Sequence, residues 1–234
     1  MTVLVETGLK LTASKSIASV DSVVCVGRIR DRTPNLLMAE QPFLVGKSKK
    51  RRAEFSSGRY FARQAMTAAG LPPAAVLSRE DRSPKWPSGL RGSLTHSRDL
   101  VAAGVSASLS GLGIDLEQSG RLSEKAALRI LVDAEAEKLR TLGADFRWLS
   151  TLVFSAKESV YKAIYPTAKL YIGYREVAIE LDLEAATFTA TYLGDKVVNR
   201  PLEAGKGAWG WVGDVVLTRF ELGAVKPSFK RGER

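Results

Sequence analysis

Hydrophobic and polar positions alternate in two registers along this chain. Val23 to Ile29 (VVCVGRI) is an almost unbroken apolar run, the pattern of a buried strand. Residues 51–69 place Phe55, Ala62, Ala65, Met66 and Ala69 near helical spacing, and Gly70, Pro72 and Pro73 end that helix. Residues 78–92 (SREDRSPKWPSGLRG) have the composition of a turn-rich loop. Ser93–His96 and Leu100–Ser106 read as strands. Residues 108–113 (SLSGLG) read as a hinge or turn, and Ile114–Glu117 as a short strand after it. Leu122–Leu142 is helical in pattern, with a break near Asp133. Arg147–Tyr165 forms a second helix, stopped by Pro166. Val177–Leu181, Thr187–Tyr192 and Trp209–Phe220 each read as a strand. The pattern predicts an α+β protein divided near residues 107–112, with a frayed basic tail from Lys226.

Composition narrows this picture. The 234 residues, 45% of them hydrophobic, suffice for a sizeable core in one large domain or two small ones. No apolar run approaches the roughly 20 residues that cross a bilayer, and the N-terminus lacks the charged-then-apolar order of a secretory signal. Cys25 is the only cysteine, which excludes an internal disulfide and a cysteine zinc site and suits a reducing cytoplasm. The net charge of +10 favours anionic partners. Nucleic acid, a membrane surface, a polyphosphate or an acidic protein would all satisfy it.

Four clusters could carry chemistry. Asp115 and Glu117 are at i and i+2 of a strand, so both carboxylates project from one face while Ile114 and Leu116 face the core. Such a pair suits an oxygen-ligated cation such as magnesium, and it also suits a solvated strand end. In FSAKESVYKA (154–163), Glu158 and Lys162 share a helix face at i,i+4 and Lys157 flanks them. They form either an exposed ion pair or a metal ligand or base (Glu158) between two phosphate-neutralising lysines. GSLTHS (92–97) contains His96, the only histidine, behind Thr95, and adjoins a loop with Arg82, Lys85 and Trp86. This is a structural histidine beside a solvated turn or an anion-binding segment. Finally, Arg52, Arg59 and Arg63 line one stripe of the first helix beside Arg51, as a solvated face or a phosphate grip. No P-loop, Rossmann fingerprint or G-x-S-x-G elbow is present, and Cys25 lies in an apolar strand as core packing.

In order and spacing, WPSGLRGSLTHS (86–97), GIDLE (113–117) and FSAKESVYKAIYP (154–166), preceded by RRAEFSSGRYFARQA (51–65), resemble the Sfp/EntD-type 4′-phosphopantetheinyl transferases. The resemblance covers roughly residues 45–195. It implies two similar α/β halves related by a pseudo-two-fold, 1–109 and 110–225, before a basic tail at 226–234. It implies that Asp115, Glu117 and Glu158 hold magnesium, or manganese, with the coenzyme A diphosphate. Lys157 and Lys162 match lysines near the phosphates, and Thr95 and His96 match the pair at the 3′-phosphate, assisted by Arg52 and Arg59 and by Arg82 or Lys85. Glu158, Lys162 and Asp115 then carry the catalysis. The implied activity moves 4′-phosphopantetheine from coenzyme A to a serine of a peptidyl, aryl or acyl carrier protein. It leans toward siderophore or other secondary-metabolite synthesis by a cytoplasmic monomer.

The strong positive charge fits an acidic carrier protein. A basic nucleic-acid-binding protein is the alternative on charge and on KSKKRR (47–52), but no recognition module accompanies it. A non-catalytic coenzyme A scaffold would not need the three carboxylates, nor would an acyltransferase using coenzyme A thioesters. Nucleic acid and membrane are therefore not the expected partners.

Overall fold

The computed structural model describes residues 3–13, 17–169, 171–196 and 202–224. In chain order the strands of the first half are β1 (Val3–Val5), β2 (Leu11–Ala13), β3 (Val23–Arg28), β4 (Leu77–Ser78), β5 (Pro84–Lys85), β6 (Arg91–Ser97) and β7 (Leu100–Ser106). The helix α1 (Lys49–Ala68) lies between β3 and β4. The second half contains β8 (Leu109–Gln118), α2 (Glu124–Ile130), α3 (Asp133–Thr141), α4 (Phe146–Ala168), β9 (Val177–Asp182), β10 (Thr187–Tyr192), β11 (Lys206–Val212) and β12 (Val215–Ala224). One sheet has the order β1-β3-β7-β6, with β1 parallel to β3 and the other pairs antiparallel. The other is antiparallel in the order β8-β12-β11-β10-β9, and β2 joins it along β11.

Period-2 burial sorts these strands into layers. Val23 and Cys25 of β3, with Val101, Ala103 and Val105 of β7, pack against Phe61, Ala62, Ala65 and Met66 of α1. Their alternates Val24, Val26, Leu100 and Ala102 pack against Leu112, Ile114 and Leu116 of β8 and Val215 and Leu217 of β12. The outer face of the second sheet carries α4 through Leu149, Leu152, Val153, Ala156, Val160 and Ala163. The protein is thus α+β, two halves that each lay one long helix across a sheet, with the sheets packed face to face. Among the described residues no helix is long and apolar enough to cross a membrane.

Several sequence expectations are corrected. Residues 109–113 are not a hinge but the first half of β8, buried throughout. Their glycines serve helix approach: a Cβ on Gly113 would lie 1.8 Å from the Ser159 carbonyl oxygen, and one on Gly111 2.6 Å from that of Ala163. The boundary expected at 109/110 therefore falls just inside β8, and β2 of the first half is an edge strand of the second sheet. Trp209–Phe220 is two strands turned at Gly213, whose φ of 64° suits glycine. Pro166 does not stop α4. It sits in the last turn, where it removes a single helical hydrogen bond, and the helix ends at Lys169 in the left-handed region. The 78–92 loop holds the short β4–β5 pair. The expected tail lies outside the described residues.

Candidate active site

The face of β8 opposite Ile114 and Leu116 reads Gly111, Gly113, Asp115, Glu117. The two glycines bring α4 into backbone contact, and this lays Ser155, Glu158 and Lys162 over the two acids that follow. Asp115, only 3% exposed, is fully engaged. Its Oδ1 accepts from Lys162 Nζ at 2.6 Å and from Thr95 Oγ1 at 3.0 Å, and its Oδ2 from Ser155 Oγ at 3.0 Å. Ser155 is in turn 2.9 Å from the hydroxyl of Thr218 on β12, the residue paired with Asp115.

The first half reaches this centre through β6. Ser93 and Thr95 face β8 and take the place of a backbone ladder. Ser93 Oγ accepts from the Ile114 N–H at 3.1 Å, and Thr95 Oγ1 accepts from the Leu116 N–H at 3.3 Å. The seam between the halves is thus stitched by hydroxyls that also fix Asp115.

Glu117 accepts two hydrogen bonds from Arg121 Nη1, at 2.7 and 2.6 Å. Burial raises its pKa above the usual glutamate value. Arg121 opposes that rise and the neighbouring Asp115 adds to it. Glu158, half-buried, accepts from the Tyr174 hydroxyl at 2.5 Å. Burial and this carboxylate push the Tyr174 pKa up, so the phenol stays a donor. The Arg121 guanidinium lies within electrostatic reach of Glu117, Asp115 and Glu158 together.

Among the described residues no three His, Cys, Asp or Glu side chains gather closely enough to hold a metal ion. Each of the expected ligands has a protein partner here: Asp115 meets Lys162, Glu117 meets Arg121 and Glu158 meets Tyr174.

Other expected ligand contacts are turned elsewhere. Lys157 points away from the seam into a buried cluster. Its Nζ donates to Glu135 Oε2 at 2.7 Å and to the carbonyls of Tyr174 at 2.8 Å and Ile130 at 3.0 Å. Burial lowers its pKa and Glu135 opposes the shift. Arg59 donates to the carbonyls of Val76 and Leu77 and to Ser78 Oγ, with its guanidinium 3.8 Å from the Phe55 ring centroid. Burial pushes its pKa down to about 10. Arg63 holds the fully buried Glu40. These side chains face away from solvent because protein oxygens satisfy them there.

Arg52 is half-buried near Asp31. His96 lies on the opposite face of β6 from Thr95, with Nε2 3.5 Å from Glu54 Oε2. Burial lowers its pKa, an effect that Glu54 opposes and Arg51 and Lys162 reinforce. Lys85 is exposed on β5, and Arg82 is exposed between two clefts. One cleft of about 310 Å³ is lined by Arg82, Ser93, Tyr161, Lys162 and Tyr165 at the seam. A groove of about 720 Å³ beyond it is lined by Lys47, Arg51, Arg79 and Arg82 with Phe43 and Phe55.

Sequence reasoning missed Ser93, Arg121, Glu135, Ser155, Tyr174 and Thr218. Ser93 was accessible, because it shares the alternating face of Thr95. The others are brought in by tertiary packing.

Two comparisons bear on this site. Residues 39–106 match the 4′-phosphopantetheinyl transferase N-terminal domain family, and residues 111–215 match the 4′-phosphopantetheinyl transferase superfamily. The chain is 36% identical over 202 residues to 4′-phosphopantetheinyl transferase Svp of Streptomyces mobaraensis, covering 83% of this chain and 82% of Svp. It is 31% identical over 223 residues to 4′-phosphopantetheinyl transferase PptT of Mycobacterium tuberculosis, covering 91% of this chain and 98% of PptT. Enterobactin synthase component D of Salmonella typhi is 35% identical over 115 residues, 49% of each chain. With family models matched over both halves and relatives aligned over most of its length, the chain belongs to the 4′-phosphopantetheinyl transferase superfamily and is an enzyme of that class.

Proposed function

We propose that this enzyme transfers 4′-phosphopantetheine from coenzyme A to a serine hydroxyl of an apo carrier protein and releases adenosine 3′,5′-bisphosphate. The observation that carries this reading is the buried Asp115 at the seam, bonded to Thr95 of the first half and to Lys162, which lines the adjoining cleft. Asp115 faces Lys162 and Glu117 faces Arg121, so each of these seam acids already draws a cation. The donor set is oxygen only, which fits magnesium, with manganese the alternative. Asp115, Glu117 and Glu158 would hold the ion through the carboxylate oxygens left open, or freed, beside Lys162, Arg121 and Tyr174. Magnesium there would offset negative charge on the diphosphate as the bridging bond breaks.

The chain's own groups divide the remaining work. Lys162, one-quarter exposed at its side chain, neutralises a diphosphate oxygen from the seam cleft. Thr95 and Ser155 fix Asp115. Glu158 accepts the proton of the attacking serine. The serine oxygen bonds to the β-phosphorus, and the bridging oxygen leaves with its electron pair on the adenosine bisphosphate. The groove of Lys47, Arg51, Arg79 and Arg82 with Phe43 and Phe55 suits the adenosine 3′-phosphate, and His96, Arg52 and Lys85, which do not line it, would have to reach that phosphate from outside the groove. Arg59 and Lys157 act through the segments they anchor.

An acidic peptidyl, aryl or acyl carrier fits the net charge of +10. Likeness to an enterobactin synthase component supports a siderophore or other secondary-metabolite synthase as the source of that carrier. Two halves in one chain support a monomer, and a lone buried cysteine suits the cytoplasm. Mass spectrometry of apo carrier incubated with the protein, coenzyme A and magnesium tests the reading. One phosphopantetheine should be gained, and the gain should be lost with chelator. No gain on any of the three carrier types would overturn it.

A further inference from the structure

Lys157 and Glu158 are neighbours on α4, yet they point to different sides of the helix and meet the same residue. Lys157 Nζ donates to the backbone carbonyl of Tyr174, and the Tyr174 hydroxyl donates to Glu158 Oε1. The lysine is 3% exposed and ties α4 to Glu135 of α3 as well. The Tyr174–Glu176 turn is closed by Glu176, whose carboxylate accepts from the Gly173 N–H at 2.6 Å. The Tyr174 ring lies 5.6 Å from that of Phe154, one turn back on α4. The phenol is therefore held at its backbone, its ring and its hydroxyl.

We propose that Tyr174 is a positioning residue for Glu158, with Lys157 as the anchor that aims it. The inference rests on the reading of Glu158 given above. A glutamate has three side-chain torsions, and ordering them opposes capture of a cation or a proton. A hydroxyl on Oε1 selects one arrangement and leaves Oε2 for the incoming group. The turn that carries Tyr174 also lines a small pocket with Tyr161, Ile164 and Tyr171 beside Glu158.

Tyr174→Phe keeps the ring against Phe154 and removes only the hydroxyl. Magnesium is titrated calorimetrically into the protein loaded with coenzyme A, for wild type, Tyr174→Phe, Glu158→Gln and the double variant, alongside steady-state kinetics and thermal unfolding. Tyr174→Phe should weaken magnesium roughly three- to tenfold, as expected for one solvent-exposed hydrogen bond of ordinary strength, with the KM for coenzyme A and the melting temperature unchanged. In the Glu158→Gln background it should add nothing. Unchanged or tighter magnesium in Tyr174→Phe, or an equal further loss in the double variant, overturns the inference. If Glu158→Gln itself leaves magnesium binding intact, the reading of the site fails instead, whatever Tyr174 does.

Discussion

The helices α1 and α4 cross the outer faces of two sheets, and each carries a row of cations, but they use them differently. On α1, Arg59 and Arg63 turn toward carbonyls, a serine and a buried glutamate of their own half. On α4, Lys157 does the same, while Lys162 reaches a carboxylate at the seam. Their docking differs as well. Over Gly27, α1 lays the side chain of Phe61, whose ring a Cβ there would meet at 2.0 Å. Over Gly113, α4 lays its own backbone. Close backbone approach is what brings α4 side chains to Asp115. A cationic stripe therefore says little about ligand binding until its partners are known, because a buried guanidinium and a phosphate-binding one look alike in sequence.

The sharpest break in this comparison is chemical. Asp115→Asn keeps the shape of the hub but removes the charge that Lys162 meets. Transfer should fall by about a hundred- to a thousandfold, the scale of losing a central charge-stabilising group, with near-native melting. Retained turnover in carrier-modification kinetics would show that the seam acids are structural, like those under α1.

The converse holds for Arg63→Met. It strips the fully buried Glu40 of its cation while Glu40 still accepts the Val76 and Leu37 N–H groups. Breaking a buried pair costs about 3 kcal/mol or more, so denaturant unfolding should show that loss. The kcat of the folded fraction should stay unchanged. A selective fall in kcat would move α1 into the chemistry.

Much of this contrast was legible in the sequence, and its limits have physical causes. Alternation along GIDLE correctly set Asp115 and Glu117 against Ile114 and Leu116, because a strand has only two faces. Helical spacing put Glu158 and Lys162 on one side. It could not aim Lys157, whose partner Glu135 lies 22 residues away and reaches it only when α3 packs on α4. The run SLSGLG has turn composition, yet its glycines answer to α4, an element almost 50 residues later. Arg121 and Tyr174 lie in connections with no periodicity to read.

Glycine substitution sharpens the docking difference. Gly113→Ala meets the Ser159 carbonyl and nitrogen and carbonyl atoms of the α4 backbone, which cannot rotate away. Gly27→Ala meets one aromatic ring. Overpacking costs about 1–3 kcal/mol. Gly113→Ala should lie at or above the top of that range and also depress turnover by displacing Glu158 and Lys162. Gly27→Ala should be milder and spare kcat. Equal effects in unfolding and kinetics would mean that α4 docks no more tightly than α1.

The smallest effect concerns the strip where the two helices' fields meet. His96 feels Glu54, Arg51 and Lys50 from α1 and Lys162 from α4, and burial sets its pKa below the usual 6.5. In the free enzyme it is therefore neutral at pH 7. A dianionic 3′-phosphate beside it would favour the imidazolium, so the pKa in the complex would be higher than in the free enzyme. Binding then takes up a proton, and affinity rises as pH falls from above the complex pKa toward the free one. Coenzyme A should bind roughly threefold tighter by calorimetry as pH drops from about 8 to about 6.5, an interval matched to the ordinary histidine range. The trend should flatten in His96→Gln, and equally in wild type with dephospho-coenzyme A, which lacks the 3′-phosphate. If His96→Gln keeps the full slope, the imidazole does not face the phosphate, and its work is confined to Glu54 on α1.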